Sequence, residues 1–225
     1  MMGRWGVLAV ICLARVSMGL HIQVVAAVSP FLIADLGLGY GEIGTLIGIF
    51  LLPGVVLSIP GGLISRRFGD TRALIGVIVL LALGTGLLVL GTGFWTALVA
   101  RLLSGAGGTL LTMQVAKIAT DWFAGRELAT AIGVLLGTFP LGVAAAMAGL
   151  PLVATSSGWR VAVAVIAGSA LLTLAIVAAF LRDRPDTRVK MSAPGQRPKF
   201  WVISRREAGL VLLLSRGFSE VEAGC

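Results

Sequence analysis

The chain has 225 residues and a formal charge of +8, with 57% hydrophobic and only 12% charged residues, against roughly 25% charged in an ordinary soluble domain. Composition of this kind excludes a soluble globular core. The basic balance would suit a nucleic-acid surface only if the positive charges were gathered on one face, and they are not. Cys12, Cys225 and a single histidine, His21, supply neither a disulfide framework nor a metal-ligand spacing.

Taken in chain order, six apolar segments run over residues 5–33, 42–64, 73–92, 95–116, 128–152 and 160–181. Each approaches the about 20 apolar residues that a membrane-spanning helix requires. They make a predicted transmembrane domain of residues 1–181. The first segment is too long for a signal peptide and lacks a cleavage site of small residues, so it is read as a retained helix. It holds Arg15 about ten residues beyond Trp5, roughly 15 Å deep and near the bilayer midplane. A charge at that depth is costly and normally faces a cavity or a partner. His21 and Gln23 follow on the same helix. No acidic residue lies at comparable depth in the six segments.

Between the second and third segments stands Gly62-Leu63-Ile64-Ser65-Arg66-Arg67-Phe68-Gly69-Asp70-Thr71-Arg72. It is too polar to lie in lipid and too short to form a domain, so it turns the chain at the membrane surface. With the N-terminus inside, the inner loops carry Arg4, Arg66, Arg67, Arg72, Lys117 and Arg126, and the region after Arg182 adds more. The outer loops hold only Arg160 beside Asp35 and Glu42. That is the positive-inside asymmetry, which predicts a cytoplasmic N-terminus and assigns the basic charge to topology.

Glycine, 31 of 225 residues, is near twice the usual ~7%. Small residues let helices approach closely where lipid provides little hydrophobic drive. Gly44 and Gly48 share a Gly-x-x-x-Gly phrase in helix 2, as do Gly133 and Gly137 in helix 5, while helix 4 carries Gly105, Gly107 and Gly108. Pro53, Pro60 and Pro140 are predicted to kink their helices. Helix 1 reads Arg15-x-x-x-Gly19 and helix 4 reads Arg101-x-x-x-Gly105. Helices 2 and 5 each follow their glycine pair with a proline. Three helices per unit make the second copy inverted, the repeat logic of many secondary transporters.

These residues resemble the major facilitator superfamily. Gly62, Arg67 and Gly69 fall on its signature between helices 2 and 3, with Arg72 just beyond the basic end. Arg66 stands where the family usually has aspartate, and Asp70 where it has a basic residue. An Arg66–Asp70 pair four residues apart is the local substitute the spacing allows. Arg101 with Gly105 resembles the helix 4 motif. Asp121-Trp122-Phe123 with Arg126-Glu127 resembles the loop between helices 4 and 5, and Gly158-Trp159-Arg160 resembles the start of helix 6. Gly133, Gly137, Pro140 and Gly142 are only loosely similar to the helix 5 motif.

The resemblance implies an all-α polytopic membrane protein, a six-helix bundle of two inverted three-helix repeats that is the N-terminal half of a twelve-helix fold. Residues 182–207 then match the central cytoplasmic loop, and 208–225 an incomplete seventh helix whose apolar run, Ala208 to Leu214, is too short to span. It further implies secondary active transport of a small solute by alternating access, not an enzyme, with no cofactor or metal. Small anions, organic or inorganic, are the expected substrate class, and a proton the expected coupling ion. The partners are the lipid bilayer and a missing C-terminal six-helix half, with no nucleic acid. Substrate-binding or coupling residues are expected to be Arg15, His21, Gln23, Arg101 and Gln114. The cytoplasmic gating loop comprises Gly62, Arg66, Arg67, Gly69, Asp70 and Arg72. A six-helix substrate-binding or structural subunit of a membrane complex is the alternative reading.

Overall fold

The computed structural model, which describes residues 3–57, 69–123, 125 and 127–181, turns the six apolar segments into six helices. They are α1 (Arg4–Leu36), α2 (the span Tyr40–Leu57), α3 (Asp70–Val89), α4 (Phe94–Trp122), α5 (Leu128–Ser157) and α6 (Trp159–Phe180). Each is long and apolar enough to cross a membrane, and the described residues contain no strand. Gly62, Arg66 and Arg67 of the signature loop, the central loop of residues 182–207 and the short run of residues 208–225 lie outside the described residues.

Helix ends follow from charge and glycine. α1 and α4 have 33 and 29 residues and outrun the predicted 5–33 and 95–116. At 1.5 Å per residue α1 is about 50 Å long, beyond the ~30 Å hydrocarbon layer. The surplus turns carry Asp35 on α1 and Lys117 and Asp121 on α4, which the apolar pattern could not register. α1 stops at Gly37, whose φ of 66° is left-handed, and only Gly158, φ 88°, separates α5 from α6. Glycine occupies such backbone without the clash of a Cβ.

The prolines act unequally. α5 continues through Pro140 and Pro151. α2 is helical over Tyr40–Gly48, turns through Leu51 N–H to Gly48 O (3.0 Å) and Leu52 N–H to Ile49 O (3.3 Å), and resumes over residues 52–57 with Pro53 in its first turn. Proline fits the first turn of a helix, where its missing N–H removes no bond.

Packing repeats with the sequence. α1 lies on α5 as α4 lies on α2. α4 lies on α3 as α1 lies on α6, and α3 meets α6. Exchanging helices 1–3 with 4–6 maps this contact scheme onto itself. Polar ties fix the two ends. At the end where α1 begins, Arg4 pairs with Glu127 at 3.0 Å, Trp5 meets the Phe123 ring edge-on, and Lys117 bridges Asp70 and Asp121. At the other end Asp35 accepts from Trp159 Nε1 and Arg160 Nη1, both at 2.8 Å, while Arg160 Nη2 reaches Gly91 O. The start of α3 is thus tied to the end of α4, and the end of α1 to the start of α6, so the chain crosses back and forth as the apolar pattern required.

The close contacts fall on other glycines than the Gly-x-x-x-Gly pairs. A Cβ on Gly19 would meet Phe139 O at 2.6 Å, and one on Gly142 would strike Val16 O, closing α1 on α5. On Gly105 it would strike the Phe50 main chain, closing α4 on α2. On Gly107 it would meet Leu81 N at 2.5 Å, and on Gly84 the Ser104 main chain, closing α3 on α4. At Gly44, Gly48, Gly133 and Gly137 a Cβ would meet nothing within 4 Å among the described residues, and all four lie exposed. Overpacking a tight site costs about 1–3 kcal/mol. Gly105→Leu and Gly142→Leu are therefore expected to lower the unfolding midpoint of the chain in detergent, and Gly133→Leu to leave it unchanged. Equal effects at the three positions would contradict this packing.

Candidate functional site

Two arginines lie within the membrane span, and the bundle gives them parallel settings. Arg101 sits seven residues into α4, 1% exposed, with its guanidinium 4.4 Å from the centre of the Phe50 ring. Arg15 sits on α1, half-buried, 5.1 Å from the centre of the Phe139 ring. Four residues after each arginine comes the glycine, Gly105 or Gly19, that receives the main chain of that same phenylalanine. Arginine, glycine and phenylalanine thus form one seat, built twice, each time with the arginine and glycine from one three-helix repeat and the phenylalanine from the other.

Their polar surroundings differ. Arg101 spends its donors on main-chain carbonyls: Nε on Leu46 O at 3.0 Å, Nη1 on His21 O at 2.9 Å and Nη2 on Ile22 O at 3.0 Å. Leu46 lies in the last turn before the break in α2, where carbonyls run out of helical N–H partners. A buried cation without a carboxylate is tolerated here because dipoles from two helices and an aromatic face replace water. Arg101 therefore joins α1, α2 and α4.

Arg15 is less engaged. Its Nη1 donates to Thr112 Oγ1 of α4 at 2.6 Å and to Met18 Sδ at 3.3 Å. The single Thr112 hydroxyl proton has two acceptors in reach, Gly108 O of α4 at 3.1 Å and Met18 Sδ of α1 at 3.0 Å. Nε has no partner among the described residues. This guanidinium is oriented by α4 and stacked on α5; its Nε is sealed from the surface, while the side chain as a whole is half-buried.

The described residues thus form an all-helical, polytopic bundle of two three-helix units with an arginine inside a span of each. The profile of the Major Facilitator Superfamily matches residues 9–219, and the chain belongs to that family. It is 27% identical over 162 residues to the "Hexuronate transporter" of Bacillus subtilis, covering 72% of this chain and 38% of that protein. It is 30% identical over 226 residues to "Solute carrier family 2, facilitated glucose transporter member 12" of Danio rerio, covering 95% of this chain and 33% of the relative. It is 24% identical over 191 residues to the "Probable sulfoacetate transporter SauU" of Cupriavidus necator, covering 83% and 44%. The chain spans less than half the length of these relatives.

The other expected site residues do not converge on one surface. Gln23 is half-buried and donates to Met147 Sδ of α5 at 3.0 Å. His21 is fully buried with Nδ1 on Ser17 O, and Gln114 is 2% exposed. In the signature loop, Gly69 (φ 86°) precedes α3, Arg72 is exposed, and the observed partner of Asp70 is Lys117 of α4. An Arg66–Asp70 pair lies outside the described residues.

Sequence reasoning passed over Phe50, Phe139, Thr112, Met18 and Lys117. The phenylalanines had a signal. The two glycine pairs extend to Gly44-x-x-x-Gly48-x-Phe50 and Gly133-x-x-x-Gly137-x-Phe139, so each aromatic stands at the same step of its repeat. Thr112 and Lys117 carried none, since their partners come from distant helices.

Hydrogen bonds to a charged group are worth about 1.5–3 kcal/mol each. Arg101→Met strands three carbonyl contacts and is expected to destabilise the chain by at least about 3 kcal/mol, read as a lower midpoint of unfolding in detergent. Arg101→Lys, a point charge without the fork, is expected to recover only a minor part. A wild-type midpoint for Arg101→Met would refute the role assigned to its three bonds.

Proposed function

We propose that this chain supplies the N-terminal six helices of a secondary active transporter that moves a small organic anion by alternating access. The observation that carries the reading is Arg15. It lies eleven residues from the start of α1, about 16 Å into the span. Among the described residues its hydrogen-bond partners are a hydroxyl and a thioether, and no carboxylate pairs with it. A half-exposed cation at such depth needs an anion to offset its desolvation. Two relatives bear names of anion transporters, hexuronate and sulfoacetate.

In this reading the end of the bundle holding Arg4, Asp70 and Lys117 faces the cytoplasm of a cell with an inner membrane, and Asp35 and Arg160 face outward. Arg15 binds the anionic group of the substrate, Thr112 and Phe139 orient it, and Gln23 contributes further along α1. The remaining face of the site comes from a second six-helix half. A proton is the proposed coupling ion, handled by groups other than a mid-depth carboxylate of these helices.

A neutral hexose is the second reading, favoured by the glucose-transporter relative, and one substitution separates the two. In a transporter containing this half, Arg15→Gln is expected to reduce uptake of a hexuronate or sulfonate at least tenfold, a loss of about 1.4 kcal/mol. Arg15→Lys is expected to retain part of the activity. Unchanged anion uptake would sink the anion reading, and saturable hexose uptake insensitive to Arg15→Gln would favour the neutral one. Liposomes holding only this 225-residue polypeptide are expected to show no gradient-driven uptake; measured flux would contradict the requirement for a second half.

A further inference from the structure

Just beyond Arg15, α1 carries two polar side chains that neither arginine seat uses. Ser17 is 3% exposed and His21 0%. The imidazole Nδ1 lies 2.7 Å from the carbonyl oxygen of Ser17. A carbonyl only accepts, so Nδ1 carries the proton and Nε2 presents a lone pair. Nε2 and Ser17 Oγ are both sealed from the surface and have no hydrogen-bond partner among the described residues. Burying a polar group without a partner is unfavourable. Residues four apart share a helix face one turn above the other, which puts both groups on the same face of α1.

We propose that Ser17 and His21 form an internal binding site on α1 for one neutral hydrogen-bonding molecule, a water. The occupant must donate to Nε2 and accept from Ser17 Oγ, and water does both. Cations fit poorly. Arg101 Nη1 of α4 holds the carbonyl of His21 itself at 2.9 Å, so a cation on Nε2 would stand near a fixed guanidinium in a medium that screens little. No metal-type cluster of His, Cys, Asp or Glu exists among the described residues to offset that repulsion. α5 carries no charged residue, and the charges of α2, α3 and α6 are confined to their first turns at Glu42, Asp70, Arg72 and Arg160. An anion would meet the Nε2 lone pair, and a transported solute cannot reach a sealed site.

This occupant makes His21 a positioning residue. One side of the ring is fixed to Ser17 O and the other to the water. The stretch of α1 whose His21 and Ile22 carbonyls are gripped by Arg101 is thereby held in register with α4.

His21 is the single histidine of the chain, so labelling the full polypeptide with ¹⁵N-histidine gives one imidazole by NMR in detergent or nanodiscs. The expected spectrum shows a proton on Nδ1, an unprotonated Nε2 and a dipolar cross-peak between a ring C–H proton and the bound water. Ser17→Ala is expected to abolish the cross-peak and shift the Nε2 resonance, whereas Ser17→Thr, which keeps a hydroxyl, retains both. A ring protonated on Nε2, an Nε2 resonance indifferent to Ser17→Ala, or a ring shift on adding one equivalent of Zn²⁺ would overturn the proposal.

Discussion

Where α1 crosses α5 and α4 crosses α2, the helices touch main chain to main chain because Gly19 and Gly105 lack a side chain. In lipid the apolar side chains gain little by leaving one another for the acyl phase, so dispersion at such close contacts does much of the holding. The arginine one turn earlier lies over the phenylalanine whose backbone fills the glycine notch. Each seat therefore fixes a crossing point and buries a cation in a single motif. The rest of the bundle, with α3 packed against α4 and α6 and the polar ties at the ends, is arranged around these two crossings.

One motif used twice has diverged in what its arginine does. Next to the Arg101 seat, α2 breaks at residues 49–51, and the Leu46 carbonyl joins those of His21 and Ile22 on the guanidinium. Next to the Arg15 seat, α5 stays helical through Pro140, and Arg15 is left with Thr112, Met18 and an Nε that has no partner among the described residues. The break accounts for the Leu46 contact alone; the His21 and Ile22 carbonyls belong to the continuous helix α1, which Arg101 grips from α4.

Much of the fold was legible because spanning helices must satisfy their backbone internally and are written as long apolar runs. The repeat was legible too, through Arg-x-x-x-Gly in α1 and α4. The choice of packing glycines was not. Gly44 and Gly133 have the sequence look of contact residues yet face away from the bundle, since spacing within one helix does not say which side meets a neighbour. The ion pair of Asp70 with Lys117, 47 residues along the chain, left no signal in the sequence, and the expected Arg66–Asp70 pair lies outside the described residues. The mid-depth charge of Arg15 was evident from sequence, but its support by Thr112 and Phe139 required the fold. His21, Gln114 and Arg101 appeared as equals of Arg15 in sequence, and their burial sets them apart.

A bundle that encloses one saturated and one available arginine is suited to bind an anion without losing its own architecture when the anion leaves. That division of labour is the central claim, and arginine-specific labelling tests it most directly. The purified chain would be treated with a dicarbonyl reagent and the modified peptides counted by mass spectrometry. Arg15 is predicted to react well ahead of Arg101, with Arg101 modified only as the protein unfolds. Equal rates, or faster modification of Arg101 in the folded chain, would contradict the account.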